Sequence, residues 1–277
     1  MPNIKRARGY RVYGFDGARY IDFYLNGGRA LTGHRPAGVL KALKSGGERG
    51  LWAEYPGSGR RRSTRLLMRL FPEVDRVSYF PTLESALLSL SEAAGVSVGL
   101  ADTPFRFQNT QVPLENLEKG AWVVYRRPWA LTSKQEKKLT EGGYGRFFIP
   151  LIPFPGRLLP VPVCRVRSSA EMPRESREIS PVLFEVLIKC MVELQKLRQD
   201  DYSHMWMRFD LPGIERVGPY LQFQMDPQSY YRWYEALLEE GVLLPPEQSI
   251  PAVVPCEFTE GEVLPLIKGC KERTWKR

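Results

Sequence analysis

The sequence predicts an α/β protein in which a shortened mixed sheet is flanked by helices, and three observations carry that expectation. First, two runs that alternate apolar and polar residues flank Asp16-Gly17, with Tyr10 and Val12 before it and Tyr20, Asp22 and Phe23 after it. Asp-Gly in such a setting is a strong hairpin signal, because a type I′ turn needs positive φ at both central positions. Second, short apolar runs at 77–80, 122–125 and 147–149 stand among segments with helical periodicity, at 83–94 and from 180 onward. Third, the C-terminal third returns to paired strands, split by Gly218-Pro219, and ends in two helices. Strands interspersed with helical segments read as a sheet covered by helices.

The elements follow in chain order. Gly27-Gly28 loosens the backbone after the hairpin, and Gly33-His34-Arg35-Pro36 leads into a short helix at 39–43. Positions 55–59 form a turn-rich link, after which Ser63 or Thr64 is positioned to cap a helix carrying Leu66, Leu67, Leu70 and Phe71. A buried strand at 77–80 breaks at Pro81-Thr82. The next helix, 83–94, aligns Leu83, Leu87, Leu90 and Ala94, and Gly95 stops it. A strand is expected at 96–100, an irregular stretch at 104–113, a polar helix at 132–139, and a short edge strand at 158–166. The prolines between 150 and 162 forbid one continuous central strand there, since proline lacks a ladder donor. Ser180 then caps a helix whose first residue is Pro181. Its apolar stripe is Leu183, Val186, Leu187, Cys190, Met191 and Leu194. Strands follow at 214–217 and 220–225, then a helix capped by Ser229 and ended by Gly241. An extended run at 242–246 precedes a last helix, opened by the capping box Thr259-x-x-Glu262.

Composition narrows the function classes. The 277 residues, 43% hydrophobic, suffice for two modest domains with a sizeable core. No apolar run is long enough to span a bilayer, and the basic start lacks the apolar stretch of a secretory signal. Cys164, Cys190, Cys256 and Cys270 are widely spaced, and His34 and His204 lie far from them. The reading therefore expects no metal site, no disulfide framework, and a reducing cytoplasm. Net charge is +9, with one dense run at Arg60-Arg61-Arg62 and Arg65. No stacking motif or recognition-helix pattern accompanies that run. It reads as a solvated basic face, and nucleic acid is set aside as a partner.

Several of these residues recur together in a known family. The ordered set Tyr20-Ile21-Asp22, Gly33-His34-Arg35-Pro36, Pro212-Gly213-Ile214, Gly218-Pro219-Tyr220-Leu221 and Gly241-Val242-Leu243-Leu244-Pro245 resembles the class III aminotransferases and glutamate-1-semialdehyde aminomutases. The resemblance covers residues 10–95 and 180–271 well and the middle faintly. It implies a pyridoxal-phosphate transferase fold whose large domain survives as the shortened mixed sheet, with an α+β small domain built from both chain ends. The implied division is 1–50 and 181–277 for the small domain and 51–180 for the large one. It also implies a homodimer, or association with an active relative.

The same resemblance shows what has been replaced. In the family, a small-residue turn at a helix N-terminus cradles the coenzyme phosphate, because free amides and the helix dipole favour an anion. Here that stretch is Pro81-Thr82-Leu83-Glu84-Ser85. Pro81 has no N–H, and Leu83 stands where a hydroxyl is expected. Thr82 reads first as an N-cap, and Thr82 with Ser85 is at most a vestigial anion site. The coenzyme also needs a carboxylate at its ring nitrogen and a lysine amine. From Gly142 to Ala170 there is no Asp or Glu, and no Lys stands between Lys138 and Lys189. Lys134, Lys137 and Lys138 precede the strand, and Lys189 lies within the next helix. The expectation is an aminotransferase-like protein with no catalytic residues and no cofactor, acting by binding a ligand or protein. The alternative is an active pyridoxal-phosphate aminotransferase or aminomutase with relocated residues.

Overall fold

The computed structural model describes residues 1–102, 122–131, 137, 146–176 and 178–272. The fold is α/β with a mixed sheet. The chain divides into two compact units, one formed by 1–36, 153–155 and 198–277, the other by 37–152 and 156–197. The irregular stretch at 104–113 and the helix expected at 132–139, apart from Lys137, lie outside the described residues.

In the first unit, β1 (Ile4–Arg8), β2 (Arg11–Gly14) and β3 (Arg19–Asp22) form an antiparallel set. The Asp-Gly hairpin is there, with Val12 opposite Tyr20. Its turn, however, is longer than type I′. Gly14 N–H donates to Ala18 O and Gly17 N–H to Gly14 O, and of the Asp16-Gly17 pair only Gly17 has positive φ, 86°. Strand β1 has no sequence signal because it is an exposed basic edge with no buried face.

Much later in the chain, β11 (Val242–Leu243) pairs in parallel with Ile21 and Asp22, which draws the two chain ends into one sheet. A second sheet orders β12 (Ala252–Val253), β10 (Tyr220–Phe223) and β9 (Ile214–Val217). The helix Pro227–Glu239 is capped by Asp226, whose carboxylate accepts from Ser229 N–H. Ser229 therefore sits inside the first turn, because Pro227 already occupies the first helical position.

In the last helix, Glu260–Glu272, Glu262 reaches back to accept from Thr259 N–H at 2.8 Å. Glu262 also takes the Arg11 guanidinium in a forked contact at 2.7 and 2.9 Å. That pairing, with the Thr259 bonds, holds the Glu262 carboxyl down at about 2. A carboxyl depressed in the folded state stabilises above its unfolded pKa, and the stabilisation is lost as pH falls through the folded value. Urea midpoints of the wild type and Arg11→Met should therefore differ most above pH of about 5 and converge towards pH of about 2. A constant gap across that range would show that the pair is not the cause.

The second unit holds the five-stranded sheet β4 (Val74–Phe80), β8 (Val161–Val166), β7 (Phe147–Pro150), β6 (Trp122–Arg126) and β5 (Gly99–Asp102), in that order. β8 is antiparallel to both neighbours, and β5, β6 and β7 are parallel. The proline-rich segment thus supplies an inner strand and not an edge. Pro162 is tolerated because β7 pairs only with Cys164 and Arg165, leaving the proline end of β8 paired on one side.

Helices α1 (Val39–Glu48) and α2 (Ser58–Leu70) pack against α4 (Pro181–Leu197), while α3 (Leu83–Ala94) lies against β4 and β8. The sequence boundaries at 50 and 181 divide this group, whereas the contacts keep α1 and α4 with the sheet. Helix α2 starts at Ser58, before the expected cap. Ser63 and Thr64 are interior, and their hydroxyls bond to Arg60 O. Gly59 looks like a turn residue in sequence, but a Cβ there would come within 2.9 Å of Phe184 Cβ. The glycine is a packing requirement, as is Gly46 against Val182. Tyr79 joins α2, β4 and α4. Its hydroxyl lies 2.9 Å from Ser63 Oγ, which accepts from it while giving its own proton to Arg60 O, and its ring meets Phe184 edge-on at 5.1 Å. Ser180, the expected cap of α4, donates its hydroxyl to Leu51 O at 2.6 Å.

Candidate functional site

Strands β4, β5, β6 and β7 run in one direction, so their carboxyl ends share one edge of the sheet. In open α/β sheets ligands sit at that edge. It is built from the β4–α3 turn, from Arg126 and Arg127 at the end of β6, and from Pro150 and Leu151 at the end of β7, with Leu151 N–H donating to Arg126 O at 2.8 Å.

The turn brings Thr82 and Ser85 together as a closed capping box. Thr82 Oγ1 accepts from Ser85 N–H at 3.1 Å, and Ser85 Oγ accepts from Thr82 N–H at 3.2 Å and donates to Thr82 O at 2.9 Å. Both hydroxyls and both amides are thus engaged locally. Leu83 packs on the apolar cluster of Phe80, Ala86, Leu90, Val123, Tyr125, Ile149, Leu151 and Val163. Within α3, Ala86 takes the buried place expected of Ala94, because the stripe closes nearer the helix start. Thr82→Ala removes one acceptor from an exposed helix end and should lower the thermal stability by about 1 kcal/mol. No loss would show that the box contributes nothing.

The other candidate residues are scattered. Lys189 is exposed on α4, and its stem lies along Gly38. Lys137 is exposed, and Lys134 and Lys138 lie outside the described residues. Two carboxylates at the start of β4 are engaged. Asp75 receives both arms of Arg165 at 2.9 and 2.8 Å, which holds its carboxyl below its ordinary value. Glu73 pairs with Arg126, whose guanidinium lies over the rings of Phe71 at 4.7 Å and Phe148 at 5.2 Å. The four cysteines are buried and free, and burial pushes the Cys190 thiol up to about 12. Among the described residues no group of three His, Cys, Asp or Glu is placed to hold a metal ion. No helix among them is long and apolar enough to cross a membrane.

Sequence reasoning missed one constellation. In the first unit His34 Nε2 lies 2.6 Å from Asp22 Oδ2, and Asp22 Oδ1 accepts from the amides of Tyr24 and Leu25. These bonds brace Leu25, Asn26, Gly27 and Gly28, which have consecutive positive φ values of 41°, 50°, 64° and 86°. The glycines do not loosen the backbone here. They continue a left-handed turn that Leu25 and Asn26 begin, a conformation L-residues adopt at a cost. The Gly-Gly pair after an aspartate is the available signal, but its partner His34 is distant enough that only the fold joins them.

Compared with known proteins, the chain is 38% identical over 282 aligned residues to an uncharacterized protein of Borreliella burgdorferi, spanning 98% of this chain and 90% of that one. Solved structures of the same fold include the ornithine δ-aminotransferase of Plasmodium falciparum, with a TM-score of 0.70 at 12% identity over 99% of this chain and 93% of that one. The chain is of one family with the Borreliella protein, and it has the fold of the aminotransferases. The acetylornithine aminotransferase of Elizabethkingia anophelis matches with a TM-score of 0.66 at 13% identity, spanning 100% of this chain and 94% of that one. Glutamate-1-semialdehyde 2,1-aminomutase of Thermodesulfovibrio yellowstonii is 30% identical over 91 residues, 33% of this chain and 21% of the enzyme. No protein-family model matches the chain.

Proposed function

We propose that this aminotransferase-like protein is non-catalytic and acts by binding a small ligand or a partner protein. The observation that carries the reading is the β4–α3 turn. A phosphate there would need free amides and hydroxyls, yet Thr82 and Ser85 satisfy each other and Pro81 has no amide to offer. Leu83 turns its side chain into the core at the same place. The strands beside the turn carry neither the ring-nitrogen acid nor the lysine, since β7 reads Phe-Phe-Ile-Pro and β8 reads Val-Pro-Val-Cys-Arg-Val. The described residues of this turn and of β7 and β8 do not fit pyridoxal phosphate. The vestigial anion site at Thr82 and Ser85 serves as a helix cap. By likeness to its fold relatives the protein forms a homodimer or joins an active relative, in a reducing cytoplasm.

Titration of the purified protein with pyridoxal phosphate tests the reading. The expected result is an unchanged visible spectrum and no mass gain after borohydride reduction. A visible band removed by borohydride, or by replacing one lysine, would overturn it. That result would favour an aminotransferase or aminomutase with relocated catalytic residues.

A further inference from the structure

Helix α2 carries charge of one sign only. Its sequence, Ser-Gly-Arg-Arg-Arg-Ser-Thr-Arg-Leu-Leu-Met-Arg-Leu, holds five arginines and no acid. The side facing the fold is Gly59, Ser63 and Leu67, and the exposed side is Ser58, Arg61, Arg62, Arg65 and Arg69. Arg60 is drawn off towards Glu175 and Ser176 O, and Arg62 pairs with Glu185 at 3.0 Å. Arg61, Arg65 and Arg69 form no ion pair among the described residues. They recur every fourth position, so they stand in one row at steps of about 6 Å along the helix axis. An ordinary solvated helix mixes charge signs, whereas a row of one sign marks an electrostatic footprint.

A second feature precedes α2 in the chain. The link before α2 exposes two aromatic rings, Trp52 at 61% and Tyr55 at 66%. Trp52 lies against Gly47, where a Cβ would come within 2.7 Å of the indole. Tyr55 and Arg60 line one cavity of about 330 Å³ with Pro56, Ile179 and Phe184. Aromatic platforms beside a row of cations are the two components by which proteins hold single-stranded nucleic acid, the rings stacking on bases and the cations following phosphates. Arginine suits the second task because its planar fork matches phosphate oxygens. A membrane surface is the weaker fit. Interfacial helices bury an apolar face in lipid, and the apolar side of α2 is already occupied by its own fold.

We propose that the outward face of α2, with Trp52 and Tyr55 at its start, is a binding surface for single-stranded nucleic acid without sequence preference. The dense run that reads as a solvated basic face in the sequence becomes a row once α2 begins at Ser58.

The test is fluorescence anisotropy of the full chain with a fluorescein-labelled oligouridylate of about 16 nucleotides. Binding should weaken steeply with salt, and the triple variant Arg61→Gln, Arg65→Gln, Arg69→Gln should flatten the log–log salt slope by about two. The corresponding triple Arg→Lys variant keeps the charge and should keep the slope, which separates charge from folding. Trp52→Ala should weaken binding about tenfold and leave the slope unchanged, because stacking releases no counterions. Absence of binding at about 50 mM salt would overturn the proposal. So would a triple Gln variant that binds like the wild type, or tighter retention on phosphatidylserine vesicles than on the oligonucleotide.

Discussion

Replacing Glu73 by alanine is expected to destabilise the sheet unit by about 3–5 kcal/mol. Glu73 and Arg126 are each less than a tenth exposed, at 9% and 7%, and they pair with each other. The Arg126 guanidinium lies over the rings of Phe71 and Phe148, which touch each other, so its charge is held away from water by aromatic carbon. Removing the carboxylate takes a buried counter-ion from a guanidinium held away from water. The penalty belongs to weakening the compensation of that buried charge more than to the pair itself. Replacing both partners at once, Glu73→Leu with Arg126→Met, should therefore recover most of the loss. Urea unfolding followed by intrinsic fluorescence reads both variants. If the single change costs under about 1 kcal/mol, water reaches the site and the argument fails.

Asp22→Ala should be comparably damaging in the other unit, by about 3 kcal/mol. The carboxylate is 2% exposed and makes three bonds, to His34 and to the amides of Tyr24 and Leu25. Without it, buried donors lose their acceptor, and the left-handed turn at 25–28 loses its brace. Asp22→Asn keeps an acceptor for the two amides and should cost distinctly less. His34→Ala removes one bond only, and should also fall below Asp22→Ala. The three variants can be ranked by thermal melts and by protease cleavage within 25–28. Equal effects from all three would mean that the turn holds itself.

Much of this architecture is legible along the chain. The hairpin around Asp16-Gly17, the helix at 83–94 with its Thr82 start and Gly95 stop, and the strand pair about Gly218-Pro219 all depend on neighbours a few residues apart. The errors share a cause. β1 escaped notice because an exposed edge strand needs no apolar alternation. The start of α2 was obscured because Gly59 answers to Phe184, which is remote in sequence. The proline-rich 158–166 reads as an edge until one sees that the neighbouring strand stops before Pro162.

For the candidate site, the sequence by itself determined which residue types stand at the β4–α3 turn and which are missing from the strands beside it, because covalent identity does not depend on folding. It also determined the residues that resemble the aminotransferases, since they recur in chain order. Only the tertiary structure decided that Thr82 and Ser85 close on each other, that Asp22 meets His34, and that Arg61, Arg65 and Arg69 stand in one exposed row. The physical reason is that hydrogen bonding, desolvation and charge patterning depend on distances through space, and these exist only once the chain has packed.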